Sequence, residues 1–207
     1  KDMVPARLFF AKTEAKGISF IRRFMLKDGT VKTNPAKQAD MIDYALGEPD
    51  EGVRLLKVVR EGADDIYLFN FNTHADTIGG ELICSDWPGF ACNILEAAIP
   101  GSKAMFVLGP QGDVNHHNFF LQNRGHAQPV WDPKAEAEHT AHARFMARTI
   151  VGKILTISDK AEEIQGNEIK YGSKEVTFDV NKPTGVTPEM LAEAKKVLDT
   201  YDEWYAN

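Results

Sequence analysis

Two short apolar runs constrain this chain most: residues 66–71 (IYLFNF) and 104–108 (AMFVL), each stopped by polar, turn-forming residues. Runs of that length and composition read as buried strands. Between them, Ser85 and Asp86 precede Trp87-Pro88-Gly89, and Phe90, Ile94, Leu95 and Ala98 then recur at helical spacing, the pattern of a capped helix with an early proline. A strand, helix, strand unit of this size predicts two adjacent parallel strands. His74, just past the first strand, and the loop 109–115 (GPQGDVN), just past the second, are then expected at one carboxyl edge of one sheet. Open α/β sheets bind their ligands at that edge.

The remaining elements extend this unit. Residues 4–10 (VPARLFF) and 18–25 (ISFIRRFM) read as strands, the second followed by the turn signal Asp28-Gly29. Arg22 and Arg23 lie inside that second run and should face opposite ways, because strand side chains alternate. Residues 53–60 (VRLLKVVR) reach 66–71 through a polar link containing Gly62, which suits an antiparallel hairpin and makes the sheet mixed. Residues 31–50, with Asn34-Pro35 and Gly47-Glu48-Pro49-Asp50, read as a surface loop, and so do 118–132.

The longest helical pattern covers 135–157, with Phe145, Met146, Ile150, Ile154 and Leu155 along it. His139 and His142 share one face of that helix, but lack further ligands nearby and read as solvated or packing groups. A second hairpin is expected from 168–171 and 176–180, and Thr187 before Pro188 caps a final amphipathic helix. The expected architecture is a single α/β domain over residues 1–207, a mixed β-sheet with helices packed on its faces.

A chain of 207 residues with 43% hydrophobic content can bury one substantial core. Its net charge of -6 comes without any basic block, which excludes the electrostatic footprint of a nucleic-acid binder and leaves small molecules or proteins as partners. No apolar stretch approaches membrane-spanning length, and KDMVPARLFF at the start lacks the core and cleavage site of a signal peptide. Cys84 and Cys92 form neither a CxxC pair nor a disulfide framework and read as free thiols, which favours a cytoplasmic over a secreted location. Opening on Lys1 instead of Met points to an internal piece of a longer protein.

Several words in this frame, taken together and in order, are similar to those of the neutral/alkaline (non-lysosomal) ceramidase family and its bacterial relatives. They are Phe71-Asn72-Thr73-His74, then Ser85-Asp86-Trp87-Pro88-Gly89, then Gly109-Pro110-Gln111-Gly112-Asp113-Val114-Asn115. Upstream, Arg22-Arg23-Phe24 with Lys27-Asp28-Gly29-Thr30 and Thr33-Asn34-Pro35 resembles the family's arginine segment. The likeness covers residues 17–120 best.

The resemblance implies a zinc-dependent hydrolase of N-acyl amide bonds acting on a small-molecule or lipid substrate. In that family two histidines, a glutamate and a tyrosine hold the metal, and His74 matches the second histidine. The other ligands have no counterpart in these 207 residues, so the zinc set is incomplete here and the piece alone is expected to be inactive. The resemblance assigns Arg22 to oxyanion stabilisation, with Arg23 as the neighbouring alternative, and Asp113 to support of the turn. Asn115 stands where the family carries a serine proposed as nucleophile. An amide cannot take that role. Either hydrolysis is lost, leaving a non-catalytic binding or scaffold domain of the same fold, or activated water attacks and Asn115 orients substrate. His116 is expected either to line the pocket or to face water, and Trp87 either to line an apolar substrate groove or to belong to the core. Apolar surface left bare on such a piece would favour self-association.

Overall fold

The computed structural model describes residues 3–79, 83–116, 140–166, 168, 170–178 and 186–205. The chain divides into two compact units, residues 1–166 and 167–207. In the first, the strands are β1 (Ala6–Glu14), β2 (Phe20–Ile21), β3 (Arg23–Leu26), β4 (Val31–Thr33), β5 (Ile42–Ala45), β6 (Gly52–Arg60) and β7 (Asp65–Phe71). Helix α1 (Asp86–Ala98) leads to β8 (Ser102–Leu108) and β9 (Val114–Asn115), and α2 (Ala141–Ser158) to β10 (Glu162–Glu163). The second unit contains α3 (Pro188–Tyr205).

The main sheet has the order β10-β1-β6-β7-β8. Every neighbouring pair is antiparallel except β7 and β8, which run parallel with Asp65 opposite Ser102 and Phe71 opposite Leu108. The fold is therefore α/β with a mixed sheet, as the pattern of apolar runs implies. Alternation along the strands sends Val53, Leu55, Tyr67, Phe69 and Phe71 to one face, where they are buried against Trp87, Ala91 and Leu95 of α1. Ala143, Met146, Ala147, Ile150, Val151 and Ile154 of α2 complete the same core. The opposite face keeps Leu56, Val58, Ile66 and Leu68 half-buried and Phe10, Met105 and Val107 exposed.

Several expectations change. The run 18–25 is not one strand: it breaks at Arg22, so β2 pairs with β9 while β3 belongs to a separate sheet of order β4-β3-β5. Residues 31–50 are not a plain loop, because β4, a 3₁₀ turn over Ala36–Met41 and β5 build that small sheet around Phe24, Leu26, Ala39 and Ile42. The apolar side of α2 is rotated from the expected one, with Phe145 54% exposed, because Ala143 and Ala147 are small enough for close packing. Among the described residues of 168–178 there is no strand. The stretches 118–132 and 135–139, with His139, lie outside the described residues. In the second unit α3 begins as expected, Thr187 Oγ1 accepting the Met190 N–H at 3.3 Å.

Leu95 is fully buried where α1 meets the sheet. Its replacement by alanine should cost about 2–5 kcal/mol in chemical denaturation, the range for truncating a packed leucine. The two cysteines should also separate chemically. Cys84 is exposed, whereas burial foremost, then the nearby Glu96 charge, pushes the half-buried Cys92 thiol upward. A maleimide titration of the folded protein should label Cys84 first and Cys92 only slowly.

Candidate functional site

The strand ends determine the site. After Phe71 the chain buries Asn72 and Thr73 and then presents His74 half-buried at the carboxyl edge of β7. Across from it the chain leaves β8 through Gly109, whose N–H donates to Phe71 O at 3.3 Å. A side chain at position 109 would collide with the Asn72 carboxamide, so this close approach requires glycine. Three residues beyond the paired ends of the strands, the loop meets the imidazole: His74 Nδ1 and Gln111 Oε1 are 2.9 Å apart. His74 and the loop thus lie on one rim, as the parallel unit requires.

Trp87 is fully buried and presents no surface to a ligand, so its expected place in the pocket lining is not what the structure shows. The indole packs edge-on to Phe71 and Phe106, with centroids 6.1 and 4.8 Å away. Its Nε1–H donates to His74 O at 2.8 Å, so it supports the rim from below. The start of α1 also differs from expectation. Ser85 makes no capping hydrogen bond through its side chain. Asp86 takes over: at φ +52°, a conformation that aspartate tolerates better than most residues, its carboxylate accepts the Trp87 N–H at 2.7 Å, the Ile78 N–H at 2.8 Å and the Thr77 hydroxyl at 2.7 Å. It thereby ties the segment just after His74 to the helix.

The arginine segment reaches the same loop. Arg22 N–H donates to Asp113 O at 3.0 Å and Arg22 O accepts the Asn34 N–H at 2.8 Å, so its backbone is gripped from both sides. Arg23 Nε donates to Asp113 Oδ1 at 2.7 Å. That hydrogen bond first, and the charge of Asp113 second, raise the Arg23 guanidinium further above its usual value. Among the described residues the half-buried Arg22 side chain makes no ion pair. The two neighbouring arginines therefore differ: Arg23 is engaged by a carboxylate, and Arg22 has no carboxylate partner among the described residues.

Asn115 sits in β9 with both ends of its amide engaged. Nδ2 donates to Asn34 Oδ1 at 3.1 Å, and Oδ1 accepts the His116 N–H at 2.7 Å. Its geometry is that of a brace between the loop and the arginine segment. His116 is buried, its Nε2 3.5 Å from Asp76 Oδ1 and its ring centroid 5.0 Å from that of His142. A cleft of about 630 Å³ also opens beside Lys12, Lys16, Glu48 and Arg54, where Arg54 pairs with Asp50 at 2.7 Å and Lys16 with Glu14 at 3.0 Å.

Zinc chemistry requires three or four protein ligands. Among the described residues no group of three His, Cys, Asp or Glu side chains could hold a metal ion. His74 has the character of a ligand: its Nδ1 is engaged, and its Nε2 has no protein partner among the described residues. Gln111 and Asn34 were not evident as site residues. Their only signal is membership of the quoted words, Gln111 inside Gly109–Asn115 and Asn34 inside Thr33-Asn34-Pro35.

A mixed α/β sheet with a polar rim at the ends of two parallel strands defines the class of protein to which this unit belongs. No known family matches the chain, and no curated protein sequence does. Solved structures do match in fold. The neutral ceramidase from Pseudomonas aeruginosa is 19% identical with a TM-score of 0.53, and a ceramidase complexed with C2 is 18% identical with a TM-score of 0.52. Each match covers 79% of this chain but 24% of the other, so the chain spans about a quarter of the length of those structures.

Asp86 provides the direct test of how the rim is built. Asp86→Ala leaves a buried donor at Trp87 and a half-buried one at Ile78 unmatched and should destabilise the fold by roughly 1–3 kcal/mol for each group that stays unsatisfied. Denaturant melts would measure the loss, and hydrogen exchange at Ile78 should accelerate with it.

Proposed function

We propose that this chain is part of a zinc-dependent hydrolase of amide bonds in N-acyl compounds, lipids among them, with its reaction centre at the carboxyl rim of β7 and β8. The observation that carries the reading is His74, held at a strand end with one ring nitrogen facing the 109–115 loop and the other free of protein partners among the described residues. The fold shared with ceramidases and the ordered words around His74 support it. The remaining ligands would come from residues other than those described. When bound, zinc supplies Lewis-acid polarisation of the amide carbonyl and acidifies the attacking water, chemistry that needs no side-chain hydroxyl.

The chain's own residues divide the remaining tasks. Arg22 offers a fixed positive donor for the charge that develops on the carbonyl oxygen. Asp113 holds Arg23 through its carboxylate and Arg22 through its main chain, so its task is to position the segment. Asn115 braces the same segment through Asn34. His116 borders Asp76 beneath the surface, a placement that suits shaping of the rim. One observation favours a second reading: Asn115 replaces a hydroxyl and is engaged at both ends, as a scaffold domain that has lost hydrolysis would allow.

The test uses the full-length protein, with zinc measured by elemental analysis and fatty-acid release measured on a panel of N-acyl substrates. The hydrolase reading expects bound zinc, its loss in His74→Ala, and an Arg22→Ala variant that keeps the metal while turnover falls about 10²-fold or more. A metal-free, inert wild-type protein would overturn it in favour of the scaffold.

A further inference from the structure

The rim holds His74 at two points, and the second has a chemical consequence. The first is the main chain, where Trp87 Nε1–H donates to His74 O at 2.8 Å from a fully buried indole. The second is the ring, with Nδ1 2.9 Å from Gln111 Oε1. A side-chain carbonyl oxygen can only accept, so the ring must donate, and in a neutral imidazole the nitrogen opposite a donor is an acceptor.

We infer that Gln111 is a positioning residue that keeps His74 protonated on Nδ1 and presents Nε2 at the rim as the nitrogen with a free lone pair. This rests on the reading of His74 as a ligand. Gln111 is itself well anchored. Its carbonyl accepts the Val114 N–H at 2.8 Å, closing the turn that carries it, and the loop is pinned to the end of β7 by the bond from Gly109 to Phe71. The close approach of Gly109 to Asn72 sets the distance between loop and strand, so the carboxamide reaches the ring without having to search for it. An amide is also a neutral acceptor. It fixes where the proton sits and how the ring is turned, yet adds no charge to the rim. Partners of this kind on a ligating histidine typically change metal affinity 10–100-fold when removed.

Long-range ¹H–¹⁵N correlation spectra of histidine-labelled, metal-free full-length protein near neutral pH read the tautomer directly. Wild type should show His74 protonated on Nδ1, Gln111→Ala should lose that preference, and Gln111→Glu should retain it, since a carboxylate also accepts. Zinc affinity, measured by competition with a chromophoric chelator, should fall about 10–100-fold in Gln111→Ala and be restored in Gln111→Glu. A wild-type spectrum with the proton on Nε2, or an unchanged tautomer in Gln111→Ala, overturns the assignment. If the tautomer responds as expected while His74→Ala leaves zinc affinity untouched, the role of Gln111 stands and the ligand reading of His74 falls instead.

Discussion

Along seven paired positions, from Asp65 opposite Ser102 to Phe71 opposite Leu108, β7 and β8 run side by side in the same direction. Parallel neighbours need a crossover, and α1 supplies it while burying Trp87, Ala91 and Leu95 against the strands it connects. Both strands then stop at one edge, where the backbone groups of the last residues must find partners outside the ladder. The bond from Gly109 to Phe71 and the Asn70 amide, which donates to Val107 O at 2.9 Å, meet that need, and the loop held there meets His74 through Gln111. The polar rim is thus a product of strand pairing.

The second layer of organisation comes from a strand that fails to stay in one sheet. Between Ile21 and Arg23 the chain leaves its pairing with β9 and enters the small sheet of β4, β3 and β5. Arg22 falls at the junction, its N–H bonded to Asp113 and its carbonyl to Asn34. The turn at Asn34, with φ +50°, brings the side chain that receives Asn115. Three segments far apart in sequence therefore lock the arginine pair against the loop. Each bond is modest, but together they fix the backbone of the arginine segment against the 109–115 loop.

Strong local periodicity made the central unit legible. The runs 66–71 and 104–108, the polar residues that end them and the helical spacing between them all point to the same answer, and the edge they share follows from it. The small sheet was hidden because Asn34-Pro35 and Gly47-Glu48-Pro49 read as loop chemistry, while β4 and β5 are held by pairing with β3 and by packing on its Phe24 and Leu26. The cap moved from Ser85 to Asp86 for a similar reason: the choice depends on Thr77 and Ile78, which spacing alone does not bring close. Side-chain size misled the reading of α2, where alanines rather than Phe145 make the contact. For Trp87 a groove and a core role were equally open, since nothing local distinguishes a ring beneath a rim from one lining it, and the buried indole holds the core one.

The reverse side of the main sheet leaves Phe10, Met105 and Val107 open to water beside the half-covered Leu56 and Leu68. A β-surface of that greasiness behaves poorly in dilute buffer, and broad exposed patches of the kind are known hazards for clumping. Its practical meaning concerns handling: the purified chain should respond to detergent and to mild salts more than its acidic charge would predict. Polar replacements at Phe10 and Met105 are the natural route to a well-behaved sample, because neither side chain contributes to the buried core on the other side.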